Sequence, residues 1–308
     1  MKPARGLLLV LLMATGGLRC GGSASKGGHA SGSGRNTEPN QIADADASRV
    51  GPRIPKPPEP CPTLETGTIA VLGQAVSLWV GTQSAGPGGP VLLYWHGTGS
   101  SASEAAVFMA PQIKDVMSQG GIAASFETSL KSGMNTGNGV WYTDDFKMAD
   151  EILACAVQQL NIDTSRIFTA GCSAGGLQVG AMAYERSSYI AAAMPNSGGT
   201  VFATASSFDS PHVPSLITTH GASGTDVVVV DFSQTSAIED KDIALHASSS
   251  TPPGGYVVDC NHGAGHCGAP PDDIAAQWQF CQDHPFGVSS DPYANGLPSS
   301  FPSYCAVP

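Results

Sequence analysis

Arg166-Ile167-Phe168-Thr169-Ala170-Gly171-Cys172-Ser173-Ala174-Gly175-Gly176 decides how this chain folds. A short run of strand character enters a glycine-flanked serine, and a stretch of helical character over 175–186 leaves it. Gly-x-Ser-x-Gly is a weak pattern alone, because small residues meet often by chance. Its setting carries the weight. A serine between a strand and a helix sits on a sharp turn that exposes its hydroxyl. Small flanking residues let the two elements approach closely there. The competing reading is a glycine-rich β-to-α turn around a phosphate.

Outward from this stretch, strands and helices alternate. Val91-Leu92-Leu93-Tyr94-Trp95 is a continuous apolar run of the kind buried on both faces of a parallel sheet. The pattern predicts two short strands within 67–80, a helix over 103–119, a strand over 121–127 and a Gly/Asn-rich loop to Val140. A helix over 144–160 follows, with acids in its first turn. Strands are predicted at 165–170, 191–194, 215–219 and 256–260, and helices at 232–246 and 275–283. This order implies one α/β domain with a mostly parallel central sheet and helices on both faces.

Residues 1–20 read as an export signal: Lys2 and Arg5 precede a short apolar run over 7–13. Cys20 offers a lipoprotein-type anchor point, although Arg19 before it fits that pattern poorly; ordinary cleavage near Ala24 is the alternative. Both routes place the protein outside the cytoplasm, lipid-anchored or released. Residues 21–59, rich in Gly, Ser and Pro, read as a disordered tether, and 60–308 as the domain. Charged residues make up 13% of the chain, and Lys and Arg form no cluster, so there is no footprint for nucleic acid. The net charge of −11 favours solubility. Of eight cysteines, Cys20 lies in the leader, and the odd remainder implies at least one unpaired thiol among disulfide candidates. No cysteine pair has zinc-type spacing, and no cofactor or metal is implied.

A serine hydroxyl needs a base to take its proton and an acid to orient that base. On a strand–serine–helix scaffold the chain order is serine, acid, histidine. His262 and His266 lie in the loop between the 256–260 strand and the last helix. His266 is the stronger choice, since the glycines before it present it on an exposed turn. Asp226, past the 215–219 strand, is the best acid. Asp231 is its alternative, although it also reads as a helix N-cap. Asp259 lies inside a strand and fits less well. The turn His96-Gly97-Thr98-Gly99 supplies backbone N–H groups for an oxyanion. Thr98 is the first choice, then Gly97, together with Ala174 after the serine.

Taken together, Tyr94-Trp95-His96-Gly97-Thr98-Gly99, Asp144-Asp145, Thr164 to Phe168, Gly171 to Gly176 and Ala191 to Met194 resemble polyhydroxybutyrate depolymerase-like and feruloyl esterase-like hydrolases. The resemblance covers most of residues 61–287. It implies the α/β-hydrolase fold and an exported serine esterase with Ser173, Asp226 and His266 as its triad. The implied substrate is an ester, polymeric in kind: a polyester, or acetyl or feruloyl groups on plant polysaccharide. Two departures stand out. Two extra residues separate His220-Gly221 from Asp226, and no aromatic residue follows His266. A second, local resemblance is to tannase-like feruloyl esterases, which join a cysteine before the serine to one after the histidine. It implies a Cys172–Cys267 disulfide; the remaining cysteines stay unassigned. A serine peptidase on the same fold and a non-catalytic carbohydrate-binding surface protein are the rival readings.

Overall fold

Every residue of Val91-Leu92-Leu93-Tyr94-Trp95 is buried, because helices cover both faces of the strand. Side chains alternate across a strand with a period of two. Val91, Leu93 and Trp95 accordingly enter one apolar cluster, with Ile152, Leu153, Val179, Met182 and Ile243. Leu92 and Tyr94 enter the other, with Ile113, Val116, Phe168 and Phe280.

The computed structural model describes residues 51–57, 60–83, 85–131, 141–200 and 208–308. The export signal, most of the tether and most of the Gly/Asn-rich loop lie outside the described residues. The elements are β1 (Gly67–Val71), β2 (Gln74–Val80), β3 (Gly89–Trp95), α1 (Glu104–Phe108), α2 (Ala110–Ser118), β4 (Ile122–Phe126), α3 (Phe146–Gln159), β5 (Ile162–Cys172), α4 (Ala174–Glu185), β6 (Ala192–Asn196), β7 (Ser215–His220), α5 (Phe232–Ala247), β8 (Val257–Asn261), α6 (Pro271–Asp283) and β9 (Cys305–Ala306). They build one nine-stranded sheet in the order β1-β2-β4-β3-β5-β6-β7-β8-β9. β4, β3, β5, β6, β7 and β8 run parallel; β1, β2 and β9 pair antiparallel at the edges.

Register positions the site. Trp95 pairs with Gly171, Cys172 with Asn196, Asn196 with Thr219, and His220 with Asn261. Five parallel strands therefore end on one edge of the sheet, where ligands bind in open α/β folds.

Three expectations need correction, and one strand had no expectation. The helix expected over 103–119 is two helices. Pro111 lies in the first turn of α2, where its missing N–H is harmless, and Met109 leaves helical geometry at φ −113° and ψ 22°. The last helix starts at Pro271 rather than 275, with proline again in the first turn. The short strand β9 carries too few residues for any periodicity; the Cys260–Cys305 disulfide and its pairing with β8 hold it. Residues 51–57, expected in the tether, pack against the domain instead. Arg53 donates its backbone N–H to the Ser188 carbonyl (2.8 Å) and its guanidinium to the Asp209 carbonyl (2.6 Å), and Ile54 packs on the core.

A Cys61–Cys155 disulfide with Cα atoms 5.6 Å apart ties the segment before β1 to α3, and among the described residues Cys281 is the buried unpaired thiol. Because the first bridge closes a span of 94 residues, replacing both Cys61 and Cys155 by Ser is expected to destabilise the fold by about 3–5 kcal/mol in denaturant titration. An unchanged transition midpoint contradicts that role.

Candidate active site

Ser173 sits between β5 and α4 with φ 61° and ψ −121°, a backbone conformation that non-glycine residues seldom adopt. Its neighbours explain how the turn closes. A Cβ at Gly171 or at Gly175 would overlap the Trp95 carbonyl oxygen. The helix thus meets the strand end through bare backbone, and the Ser173 side chain is left half-buried at the sheet edge. The Ser173 N–H donates to the Asn196 carbonyl at the end of β6 (3.1 Å).

The structure brings Ser173, His266 and Asp226 together. His266 Nε2 lies 2.8 Å from Ser173 Oγ, and Nδ1 lies 2.7 Å from Asp226 Oδ1. With Nδ1 protonated, the ring donates to Asp226 and leaves Nε2 to accept the serine proton. The Phe232 ring packs on the imidazole, with centroids 4.8 Å apart. Asp226 is fully buried, and its other oxygen accepts from the Gly221 N–H (2.9 Å) and the Ser197 hydroxyl (2.8 Å). Burial is the largest single influence and pushes the carboxyl up. The hydrogen bonds from His266, Gly221 and Ser197 together outweigh it and hold the group below its ordinary range. Asp226 is therefore a carboxylate at neutral pH. Its contribution to stability is present above about pH 4, the ordinary aspartate value, and fades as pH falls through the lowered one.

The alternatives stand elsewhere. Asp231 caps α5: its carboxylate accepts from the Ser233 N–H (3.1 Å) and from the Ser223 hydroxyl (2.9 Å) and Gly224 N–H (3.1 Å). The Ser233 hydroxyl, foremost among these donors, helps lower its carboxyl to about 2. His262 is held within its own loop, where Nδ1 accepts the Ala264 N–H (3.1 Å). Asp259 faces His220 Nε2 (2.9 Å) in a second histidine–carboxylate pair. Burial pulls the His220 ring down, and its contacts with Asp259 and the Gly221 carbonyl carry it above its ordinary value.

The oxyanion turn needs one correction. Gly97 lies against the nucleophile, since a Cβ on it would stand 3.4 Å from Ser173 Cβ. Its N–H, however, donates to the Glu104 carboxylate (3.1 and 3.3 Å), which also accepts from the Tyr94 hydroxyl (2.8 Å). Gly97 is therefore not a free donor. Thr98, next in the turn, is exposed, and no hydrogen bond among the described residues engages its N–H. Ala174 opens α4, so its N–H has no carbonyl one turn back to receive it.

Cys172 and Cys267 form a disulfide with Cα atoms 6.0 Å apart. It joins the residue before Ser173 to the residue after His266. Beside Ala174 lies a cleft of about 380 Å³, lined by Trp141, Tyr142, Leu177 and Ala181, with Lys131 and Asp144 at its polar side. The Trp141 indole N–H donates to the His96 carbonyl (2.9 Å), which ties one wall of the cleft to the oxyanion turn. Sequence reasoning missed Glu104 and Ser197, and it gave His220 no partner. Only the polar run Asn196-Ser197 after an apolar strand signalled either missed residue.

Solved structures share this architecture. The native structure of pOPH superposes with a TM-score of 0.61 at 15% identity, covering 82% of this chain and 96% of that one. The α/β-hydrolase fold is therefore that of this chain. Native sOPH gives a TM-score of 0.57 at 16% identity, covering 81% of this chain and 95% of that one. A thermostable esterase gives 0.51 at 18% identity, covering 68% and 59%. No protein-family model and no curated protein matches the sequence. In the α/β-hydrolase fold the turn after the β5 strand, here holding Ser173, is where a nucleophile is displayed.

Two outcomes follow from the geometry. Asp226→Asn is expected to lower kcat about 10³- to 10⁴-fold, because the ring loses the partner that fixes its tautomer. Asp231→Asn is expected to leave kcat within about twofold and to lower the melting temperature; the reverse order makes Asp231 the acid. Replacing Cys172 and Cys267 together by Ser is expected to cost at least about tenfold in kcat while circular dichroism stays native, because small misplacements of catalytic groups are costly. Full turnover in the double variant shows that the bridge does not position the base.

Proposed function

We propose that this chain is an exported serine hydrolase of carboxylic esters. The observation that carries this reading is the unbroken hydrogen-bonded path from Ser173 through His266 to the buried Asp226. His266 removes the Ser173 proton as Oγ attacks the ester carbonyl. The negative charge that develops on the carbonyl oxygen falls to the N–H groups of Ala174 and Thr98. His266, now an imidazolium beside Asp226, gives its proton to the leaving alcohol, and an acyl-serine remains. Water then attacks the acyl group with His266 as base; the carboxylic acid departs and Ser173 regains its proton.

The likeness to a thermostable esterase, and to a pOPH variant crystallised in complex with pNPB, supports an ester as substrate. An apolar body for that ester is supported by the exposed residues that follow Asp226 in the chain. Val227, Val228 and Val229, directly after Asp226, are 49%, 61% and 75% exposed. Their loop is closed by the Phe232 N–H on the Asp226 carbonyl (2.9 Å) and by the Asp231 carboxylate. With the aromatic cleft, these side chains favour an ester with an apolar body, such as a polyester, over acetylated polysaccharide. Three disulfides fit an oxidising compartment, in line with the leader at 1–20, and Cys20 is the proposed site of a lipid anchor.

The test is an assay of the full chain against p-nitrophenyl esters, methyl ferulate, acetylated xylan and polyhydroxybutyrate, beside Ser173→Ala. Ester cleavage that the substitution abolishes is expected, with the apolar polyester preferred over acetylated xylan. Cleavage that survives Ser173→Ala, or no cleavage of any ester, overturns the reading.

A further inference from the structure

The end of β6 touches Ser173, Asp226 and the loop that carries His266. The Asn196 carbonyl accepts the Ser173 N–H (3.1 Å). The next residue, Ser197, donates its hydroxyl proton to Asp226 Oδ2 (2.8 Å), and its Oγ accepts the N–H of Cys267 (2.9 Å), the residue after the base. Ser197 is itself held by its N–H on the Thr219 carbonyl (2.8 Å) and is 1% exposed. Its φ of +40° lies in the left-handed region, where a non-glycine residue carries strain. Glycine would relieve that strain, and Gly198 and Gly199 follow directly. A hydroxyl-bearing residue stands there instead.

We infer that Ser197 is a positioning residue of the reaction: its hydroxyl indexes the acid to the loop that carries the base. The inference rests on the ester-hydrolase reading of the site. The chemistry restricts which side chain fits. The role needs one donor toward a carboxylate and one acceptor toward an N–H, from a single atom, in a buried space. Serine and threonine meet it, and alanine, glycine and valine do not. The Ser197 proton also draws Asp226 charge away from the oxygen that faces His266. Other groups act on the same pair. Gly221 donates to Asp226, the His220–Asp259 pair lies behind Gly221, His262 is in the base's own loop, and Phe232 packs on the imidazole. None of them bridges acid and base loop through one atom.

Two substitutions separate positioning from folding. Ser197→Gly removes both hydrogen bonds and the backbone strain together. Ser197→Thr keeps the hydroxyl but places a β-branched residue in the left-handed region. Ser197→Gly is expected to keep a native circular dichroism spectrum at the assay temperature and lose about ten- to hundredfold in kcat on a soluble p-nitrophenyl ester, with KM within about threefold. Ser197→Thr is expected to melt lower and to keep kcat within about threefold at a temperature where it is folded. The acid limb of the kcat profile is expected to move to higher pH in Ser197→Gly, because an undivided carboxylate charge stabilises the imidazolium more. NMR titration of the His266 ring reads the same upward shift without turnover. If the wild-type chain cleaves no ester, the functional reading fails while this titration still tests Ser197. A Ser197→Gly protein with wild-type kcat and an unmoved His266 titration overturns the inference. So does a Ser197→Thr protein that is folded yet as impaired as Ser197→Gly.

Discussion

The site depends on a backbone-to-backbone contact between the start of α4 and the end of β3. Neither Gly171 nor Gly175 has room for a Cβ against the Trp95 carbonyl, and a Cβ at Gly176 would stand 2.5 Å from the Asn196 carbonyl of β6. The first turn of α4 is thus wedged between two neighbouring strand ends. That wedge holds Ser173 at φ 61° and lays the Gly97 turn against its side chain. Alanine at 175 would have to push the helix off the sheet. Ser173 and the Gly97 turn would then separate together, since one contact sets both.

Electrostatics complete what the wedge begins. A carboxylate with no exposure is costly unless donors surround it. Asp226 has three, from His266, Gly221 and Ser197. Two of these donors come from the ends of neighbouring strands, β6 and β7, and the third is the base. The base loop carries little apolar side-chain surface to anchor it: Gly263, Ala264 and Gly265 are exposed. Its position comes from the Cys172–Cys267 disulfide, the Cys267 N–H on Ser197 and the Phe232 ring. The bridge fastens the His266 loop to β5, which carries Ser173, so the two side chains share one anchor.

Much of this was legible in the sequence, and for local reasons. The strand into Gly171, the helix out of Gly175 and the apolar run at 91–95 follow from short-range pattern, so the sheet and its central turn were readable. Chain order and loop position pointed to Asp226 and His266. The geometry now shows Asp231 serving as the N-cap its sequence position suggested. What stayed hidden depends on contacts between distant residues. No spacing announces that Glu104 takes the Gly97 N–H, that Ser197 meets Asp226 across 29 positions, or that Arg53 lies on Ser188. The break at Met109 was local and was overlooked: Pro111 is visible in the sequence, and its effect on the preceding turn is predictable. The two-residue strand β9 had no periodicity to read.

The central claim is that Ser173 is the atom that carries the acyl group. Intact-mass and peptide mass spectrometry of the chain after treatment with an excess of a fluorophosphonate tests it most directly, because that reagent reacts with an activated serine and leaves a stable adduct. One adduct per chain, on the peptide containing Ser173 and absent from His266→Ala, is the predicted result. No adduct, or an adduct on another residue, contradicts the account.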